Sequence, residues 1–384
     1  MRTSRLLAGT LTAAALLLAA GCTAATIAPA PTSSAPADVE RAFMDLAADL
    51  DTVGAFMLVR TPSREYALSS GTVAADAGTA APTADTVFRI GSNTKTFTAT
   101  AVLLLIEDGL LELETPLAVF RPDVPEADRI TVRMLLAMRS GIGNYTDNEA
   151  WIEAALADPA RVWEPDELVR LGFELPRPFE PDAAYQYSNT NTVLLGQIAE
   201  QVAGVPLEEL FEERLFEPMG MRATALPAAA DVELPAPFAH GYTVLEGTER
   251  TDTTGFNPSW AWAAGGAYSS AHDLLEWAAS LSGTTLLDAD LAERRIASIA
   301  PISDDPALED WGYGWGLARL HGLIGHSGQL PGYNSVVGHD PDSGVSVVIW
   351  ANVAPSDDGR DPANTIADAV VPLVIADAQA TRQP

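Results

Sequence analysis

Strand-like segments stand near both ends of this chain of 384 residues, and helix-like segments fill the region between them. Apolar residues recur at helical spacing from 115 to about 225, whereas the flanking regions are rich in short β-branched runs bounded by turn residues. The predicted strands lie at 53–59, 65–73, 313–320, 322–326, 333–339 and 345–352. Strands from distant parts of a chain must pair to bury their apolar faces. They therefore constrain the fold more than any single helix does.

Helical patterns lie outside these strands at 39–50 and 363–378, and the turn residues at 340–344 join the last two strands as an antiparallel hairpin. We therefore predict an α+β fold, an antiparallel β-sheet flanked by N- and C-terminal helices with an inserted all-helical subdomain at approximately 92–225. The predicted main domain spans 39–380.

The first residues are typical of an export signal. Arg2 and Arg5 precede an apolar run that is too short to span a membrane, so we predict a signal peptide at 1–21. Cys22, the only cysteine, follows small residues and resembles the lipidated cysteine of bacterial lipoproteins, with a plain secreted protein as the alternative. Residues 22–38 are rich in Pro, Ala, Ser and Thr, which predicts a flexible tether. We expect an exported protein, either anchored to the cell membrane by a lipid on Cys22 or secreted.

The balance of charge excludes several classes of partner. The formal net charge is −30 at pH 7, and such a surface repels nucleic acid and anionic lipid. The five histidines show no metal-ligand spacing. We therefore expect no nucleic-acid partner, no metal and no cofactor, and contact with a membrane only through the lipid.

Lys95 is the only lysine in the chain, and it stands three residues after Ser92. A buried lysine can lose its proton and act as a base, whereas arginine keeps its charge. If the stretch from Ser92 is helical, the two side chains share one face, as an activated serine nucleophile requires. A helix-capping serine followed by an ordinary lysine is the alternative, and the pair alone does not decide between them.

Three further stretches bear on this pair, and each is weak by itself. Tyr187-Ser188-Asn189 precedes a helical pattern and offers a phenol that can pass protons and an amide that can orient a carbonyl. Gly325-His326-Ser327-Gly328 ends an apolar strand, and its small residues leave room for a substrate along the strand edge. The small residues of 263–266 form a predicted loop that could approach a ligand closely.

Together, in this order, the three motifs Ser-x-x-Lys, Tyr-Ser-Asn and His-Ser-Gly match those of the penicillin-recognising serine hydrolases. The surrounding stretches FRIGSNTKTFTATAVLLLIEDGLLELETPL and IGHSGQLPGYNSVVGHDPDSGVSVVIWAN also resemble that family's larger branch. This branch contains class C β-lactamases, secreted D-alanyl-D-alanine carboxypeptidases and related esterases. The resemblance covers 39–378, nearly the whole predicted domain.

The resemblance implies a role for each matching residue. Ser92 would be the acylated nucleophile, Lys95 would take its proton, and Tyr187 would protonate the leaving group and later activate water. The backbone N–H groups of Ser92 and Gln329 would form the oxyanion hole. Substrate binding would fall to Asn189, His326, Ser327 and Gly328.

Some positions depart from the family's usual pattern. Histidine at 326, where class C β-lactamases carry lysine, favours a carboxypeptidase. Asp182 replaces a glycine that is common after Pro181, and 138–141 reads Met-Arg-Ser-Gly instead of His-Thr-Ser-Gly. Arg319 could reach a substrate's C-terminus, although a solvated arginine is the commoner outcome.

The predicted function is therefore that of an exported serine hydrolase that forms an acyl-enzyme on Ser92, most simply a D-alanyl-D-alanine carboxypeptidase acting on cell-wall peptides. A class C-like β-lactamase or an esterase of the same family is the alternative, with β-lactams or esters as substrates. A non-catalytic penicillin-binding sensor lipoprotein is the alternative from another class. A Ser-His-Asp hydrolase is disfavoured, because no Gly-x-Ser-x-Gly occurs in the chain.

Overall fold

A computed structural model describes residues 34–382 apart from 77, 246–248, 306, 307 and 309. The predicted signal peptide, Cys22 and most of the predicted tether lie outside the described residues. The first helix, α1 (Ala37–Asp49), begins at residue 37, one residue before the predicted end of that tether at 38.

The strands form one large sheet and two small ribbons. The large sheet has eight strands in the order β2-β1-β12-β11-β10-β9-β8-β7, and every neighbouring pair is antiparallel. The small ribbons pair β3 with β6 and β4 with β5. The strands are β1 (Gly54–Arg60), β2 (Glu65–Gly71), β3 (Val87–Arg89), β4 (Tyr242–Val244), β5 (Arg250–Asp252), β6 (Tyr268–Ser270), β7 (Ala300–Pro301), β8 (Gly312–Tyr313), β9 (Ala318–Leu320), β10 (Leu323–Leu330), β11 (Tyr333–Asp340) and β12 (Val345–Ala351).

The sheet joins the two ends of the chain. Strand β1 pairs with β12 in a register that sets Ala55 opposite Ala351 and Arg60 opposite Ser346. Strand β12 is buried along its whole length, because both faces of the sheet are covered by helices. The predicted antiparallel sheet is therefore built from strands of the N-terminal and C-terminal regions together.

Most of the helices lie between β3 and β4. They are α2 (Thr94–Glu107), α3 (Val132–Leu136), α4 (Glu149–Ala157), α5 (Pro165–Phe173), α6 (Asn189–Ala203), α7 (Leu207–Phe211) and α8 (Glu217–Met219), with α9 (Trp262–Gly265), α10 (Ala271–Ser280), α11 (Ala289–Ala297) and α12 (Pro362–Arg382) further along the chain. Searched over residues 34–382 with their gaps, the chain has no helix that is both long and apolar enough to cross a membrane.

Two hydrophobic cores cover the two faces of the sheet. Val39 and Phe43 of α1 and Val370 and Val374 of α12 belong to the core on one face. The larger core on the other face includes Phe97 of α2 together with residues of α3, α5, α6, α7 and α10. The predicted α+β fold, with an antiparallel sheet and flanking helices, is confirmed.

The strand predicted at 313–320 is wrong as a single element. The chain forms two short strands, β8 and β9, because Gly316 adopts a φ of +68° between them. A Cβ at Gly316 would lie 2.1 Å from the Cβ of Ala99, so this turn packs directly on α2. Glycine permits both the left-handed backbone and the close approach.

Candidate active site

Ser92 lies where the chain enters helix α2. It occupies a 3₁₀ turn at Gly91–Asn93, and α2 starts at Thr94. The helix predicted to begin at Ser92 therefore begins two residues later, after a tighter turn. The predicted adjacency still holds, because the Nζ of Lys95 lies 3.0 Å from the Oγ of Ser92.

Lys95 is buried, with 1% of its surface exposed. Its Nζ also lies 2.7 Å from the Oδ1 of Asn189 and 2.6 Å from the carbonyl oxygen of Ala264. Burial lowers the pKa of Lys95 well below its ordinary value. In the described part of the chain no carboxylate forms an ion pair with Lys95. No ion pair therefore stabilises its charged form against the loss of solvation.

The three neighbours of the Lys95 Nζ suit a neutral amine. Such an amine has two N–H donors and one lone pair. The oxygens of Asn189 and Ala264 can only accept here, so they take the two N–H groups. The lone pair then faces the hydroxyl of Ser92, which is the arrangement in which an amine removes a proton from a serine.

Tyr187 completes this group. Its hydroxyl is hydrogen-bonded to the side chain of Ser92, and its ring centroid lies 4.8 Å from the Nζ of Lys95. Burial raises the pKa of the Tyr187 phenol, and the bond to Ser92 offsets this only in part. The phenol is therefore protonated at neutral pH and is a hydrogen-bond and proton donor.

His326 lies close to Tyr187, but both of its ring nitrogens contact other protein groups. The ring centroids are 6.1 Å apart. The Nδ1 of His326 lies 2.5 Å from the carbonyl oxygen of Ser327, and its Nε2 lies 3.4 Å from the hydroxyl of Tyr313. Burial is the main cause that lowers the pKa of His326, to about 3. The imidazole is therefore neutral at neutral pH, so any part that it plays in substrate binding is that of a neutral group.

The edge of β10 beside Ser92 is open. Strand β9 pairs only with 323–325 of β10, and the 3₁₀ turn of Ser92 packs beside the rest of the strand. Leu330 lies opposite Tyr333 across a two-residue turn, the position at which the residues of a tight hairpin exchange backbone hydrogen bonds. Since alternate residues of an antiparallel pair point their N–H groups outward, the N–H of Gln329 points away from β11 toward this open edge.

Two glycines bring the Ser92 turn and β10 together. A Cβ at Gly328 would lie 1.9 Å from the carbonyl oxygen of Ile90, and one at Gly91 would lie 2.5 Å from the backbone nitrogen of Gln329. The backbones of Gly91 and Gln329 are thus in contact. Two N–H groups, of Ser92 and Gln329, can therefore lie on the same side of the serine hydroxyl.

The structure also reveals neighbours of Asn189 that the sequence did not suggest. The backbone N–H of Asn189 donates to the Oδ1 of Asn144, and its side-chain amide lies 3.5 Å from the Oγ1 of Thr146. Asn144 and Thr146 follow α3 and have no motif of their own. Ala264 belongs to the small-residue stretch 263–266, but this stretch forms the helix α9 and not the predicted loop.

The departure at Asp182 has a structural explanation. Asp182 adopts a φ of +67°, a left-handed conformation in which glycine is ordinarily favoured and aspartate is tolerated. Its carboxylate is paired with Arg139 at 2.7 Å and with Arg133 at 3.2 Å. Arg139 belongs to the other unusual stretch, 138–141, so the two departures compensate each other. Gln186, next to Tyr187, also donates its N–H to the carbonyl of Met138.

Arg319 lies apart from this group. It is on β9, opposite Ile324, and its side chain is exposed. In the described part of the chain no three His, Cys, Asp or Glu side chains lie close enough together to hold a metal ion. The groups near Ser92 can thus deliver a base, a neutral acid and two backbone donors, which suffices for acyl transfer to a serine.

Comparison with known proteins agrees with this chemistry. The beta-lactamase family model matches residues 37–371. Penicillin-binding protein 4 of Amycolatopsis lactamdurans is 28% identical over 78% of this chain and 80% of its own length, and an esterase, EstB, of Burkholderia gladioli is 29% identical over 70% and 78%. The crystal structure of a D-stereospecific amidohydrolase from Streptomyces sp. superimposes with a TM-score of 0.77 and 29% identity, over 86% of this chain and 96% of that one. The chain belongs to the beta-lactamase family, as its resemblance to the penicillin-recognising serine hydrolases predicted.

Proposed function

We propose that this protein hydrolyses amide or ester bonds through an acyl-enzyme on Ser92. The observation that carries the proposal is the buried Lys95 amine, with a lowered pKa, 3.0 Å from the hydroxyl of Ser92. Burying an amine so that its pKa falls is costly, and a protein that only binds its ligand has no need of such an amine.

In the proposed acylation, the Oγ of Ser92 attacks the substrate's carbonyl carbon while its proton passes to the Nζ of Lys95. The carbonyl oxygen becomes an oxyanion facing the N–H groups of Ser92 and Gln329. The bond to the leaving group then breaks, and the phenol of Tyr187 gives its proton to the departing nitrogen or oxygen. The Lys95 ammonium then gives the proton that it took from Ser92 to the Tyr187 phenolate, so the acyl-enzyme forms with no net loss of protons.

Deacylation reverses these roles. A water molecule attacks the ester carbon of the acyl-enzyme and gives one proton to the base formed by Lys95 and Tyr187. The Oγ of Ser92 leaves and recovers a proton from the same pair. The products are a carboxylic acid and a regenerated enzyme, and no cofactor or metal enters the balance.

The charge around the site supports substrates whose leaving group is uncharged. Recognition of a terminal carboxylate calls for a cation, yet His326 is neutral at neutral pH because burial lowers its pKa to about 3. Lys95 is buried and points its amine at Ser92. We therefore favour amides and esters without a carboxylate beside the scissile bond, a class that includes the substrates implied by the names of the amidohydrolase and esterase relatives.

A D-alanyl-D-alanine carboxypeptidase, the function predicted from the His-Ser-Gly motif, is the second candidate. Two observations favour it. Ser327 is half-buried on the open edge of β10, where its backbone could bind a peptide, and a relative is named a penicillin-binding protein. Arg319 is an exposed cation of the sheet, although it belongs to the neighbouring strand β9. A class C-like β-lactamase is tested by the same assays.

Two experiments test the proposal. Incubation with a fluorescent penicillin should label the protein covalently, and Ser92→Ala should abolish the label; labelling that survives this change would exclude Ser92 as the nucleophile.

Parallel assays would then compare a D-amino acid amide, a p-nitrophenyl ester, a D-Ala-D-Ala peptide and nitrocefin. Turnover of the amide or ester is the expected result, turnover of the peptide alone favours the carboxypeptidase, and stable labelling without turnover favours the sensor.

The proposed location rests on the sequence alone. Export, with a lipid on Cys22 as anchor or with release from the cell, would bring the enzyme to extracellular substrates.

A further inference from the structure

An apolar groove with a cavity volume of about 170 Å³ lies outside the group of candidate catalytic side chains. Its walls come from α4 and the residues after it, from the segment before α9, and from Pro331, which follows β10. Trp151, Trp163 and Trp260 form one aromatic cluster, with centroids 5.2 Å apart for Trp151 and Trp260 and 6.3 Å apart for Trp151 and Trp163. A pocket of this volume holds a small organic group.

The groove presents hydrophobic side chains to solvent at its lip. Leu156 is 64% exposed and Ile152 is 40% exposed. Both lie on α4, which has no buried residue of its own. Exposed apolar side chains gathered around a concavity mark a surface that binds something. Among the described residues that line the groove there is no lysine or arginine, and Asp158 is the one charged member. Arg161 stacks on Trp163 at 4.0 Å but is ion-paired with Glu167 at 2.5 Å, so its charge is already matched and an anionic occupant is disfavoured.

The groove is connected to the site at two points. Pro331 lies two residues after Gln329, whose N–H faces the open edge of β10. Trp260 accepts a hydrogen bond at its carbonyl from the hydroxyl of Tyr145, and Tyr145 packs edge-on against Trp151 at 5.9 Å. Tyr145 adjoins Thr146, which contacts the amide of Asn189. The groove therefore lies beyond Pro331 at the Gln329 end of β10, and contacts through Tyr145 and Thr146 link its wall to Asn189.

The direction of β10 decides which part of a substrate reaches the groove. The His326 end of the open edge lies beside Tyr187, where the leaving group would receive its proton. The Gln329 end runs toward Pro331 and Trp260. A substrate whose carbonyl lies over Ser92 therefore sends its leaving group toward Tyr187 and its acyl group toward the groove.

We propose that this groove is the acyl-binding subsite and that it selects substrates with a bulky, uncharged apolar acyl group, aromatic by preference. This inference rests on the proposed function and adds the class of acyl group to it. The acyl part remains on Ser92 after the leaving group departs, so the groove holds the acyl-enzyme as well as the substrate.

The test compares p-nitrophenyl acetate with p-nitrophenyl 3-phenylpropanoate, which share a leaving group and differ only in the acyl part. We expect kcat/KM to be about 10- to 100-fold higher for the phenylpropanoate, the range that burial of a phenyl group provides. Leu156→Asp should reduce this ratio to about threefold or less. Leu110→Asp is the matched control, since Leu110 is 60% exposed and follows the far end of α2.

Binding to Ser92→Ala gives a second readout that does not need turnover. Calorimetry should show tighter binding of 3-phenylpropanamide than of acetamide, and Leu156→Asp in the same background should remove the difference. A phenylpropanoate-to-acetate ratio near one, or a ratio that Leu156→Asp and Leu110→Asp change equally, would overturn the subsite. If both esters are turned over equally well and the turnover depends on Ser92, the subsite is rejected and the proposed function stands. Absence of turnover together with selective phenylpropanamide binding would instead reject the function and keep the subsite.

Discussion

Burial gives Lys95 the property that its proposed role as a base requires. Its amine has three oxygen neighbours and no carboxylate partner in the described part of the chain, and burial lowers its pKa well below the ordinary value. Arginine could not replace it, because a guanidinium keeps its proton throughout the range in which proteins are stable. This explains why a chain with 22 basic residues has its one lysine at this position.

The pH dependence of the reaction follows from this pKa. The neutral amine is the active form, so kcat/KM should fall as the pH drops through the lowered pKa of Lys95 and stay high above it until other groups ionise. His326, with a pKa of about 3, is already neutral in this window, so His326→Gln should leave the position of the acid limb unchanged. The measurement is kcat/KM for an ester from pH 4 to pH 9.

Lys95→Arg is the companion variant in that series. It should lower kcat/KM by about 10²- to 10⁴-fold, the usual contribution of a general base, with no recovery at any pH tested. An acid limb that moves in His326→Gln, or activity within tenfold of wild type in Lys95→Arg, would contradict the assignment of Lys95 as the base.

At the scale of elements, the site depends on the contact between β10 and the 3₁₀ turn that carries Ser92. The two backbones approach so closely that Gly328 and Gly91 leave no room for a side chain. The turn is further held by Asn93, whose amide donates to the carbonyl of Ile90 and to the hydroxyl of Ser335 on β11. The two proposed oxyanion donors, the N–H groups of Ser92 and Gln329, are thus held in place by one turn and one strand.

Gly328→Ala tests this contact. Its Cβ would meet the carbonyl oxygen of Ile90 at 1.9 Å, so the turn and the strand must separate and the N–H of Gln329 must move away from Ser92. We expect kcat/KM to fall by about 10²- to 10³-fold, as when one oxyanion donor is lost. The assay uses an ester at saturating and limiting concentrations.

Gly255→Ala is the control for that variant, because a Cβ at Gly255 meets nothing within 4 Å. Circular dichroism and thermal unfolding of both variants would separate a local shift from loss of the fold. A folded Gly328→Ala enzyme with wild-type kcat/KM would rule out a catalytic role for this contact.

On the scale of the whole molecule, the sheet separates two hydrophobic cores, and only one of them packs around the candidate active site. The core on one face joins α1 and α12, at the two ends of the domain, and carries none of the candidate catalytic side chains. The core on the other face packs around α2, the helix that carries Lys95. Stability on the first face can therefore be changed without touching the site.

Phe43→Ala tests this separation. Phe43 is fully buried in α1, and its truncation should lower the free energy of unfolding by about 3–5 kcal/mol, as for other large core residues. Under conditions where the variant is folded, kcat/KM should equal that of wild type. Urea unfolding measures the first quantity and ester hydrolysis the second.

The neighbouring Met44 provides the control. It is 41% exposed, so Met44→Ala should change the unfolding free energy by less than about 0.5 kcal/mol. A large drop in kcat/KM for folded Phe43→Ala would mean that the two cores are coupled through the sheet.

The sequence alone determined the family, the fold class and the Ser92–Lys95 pair. These depend on local information: apolar periodicity, turn residues, and a serine and a lysine within one turn of each other. It also identified Tyr187, Asn189 and Gln329 as candidates, although only by resemblance to a family, since each lies far along the chain from Ser92.

Tertiary structure decided the rest, because it depends on contacts between distant segments. No local pattern could show that the carbonyl of Ala264 accepts from Lys95, that the nitrogens of His326 are both turned inward, or that Asp182 offsets the unusual stretch 138–141. The pKa of Lys95 is set by desolvation, and the residues that exclude water from its amine come from several helices and the sheet. The sequence could name Lys95 as a candidate base, but only the folded chain buries its amine and so lowers its pKa.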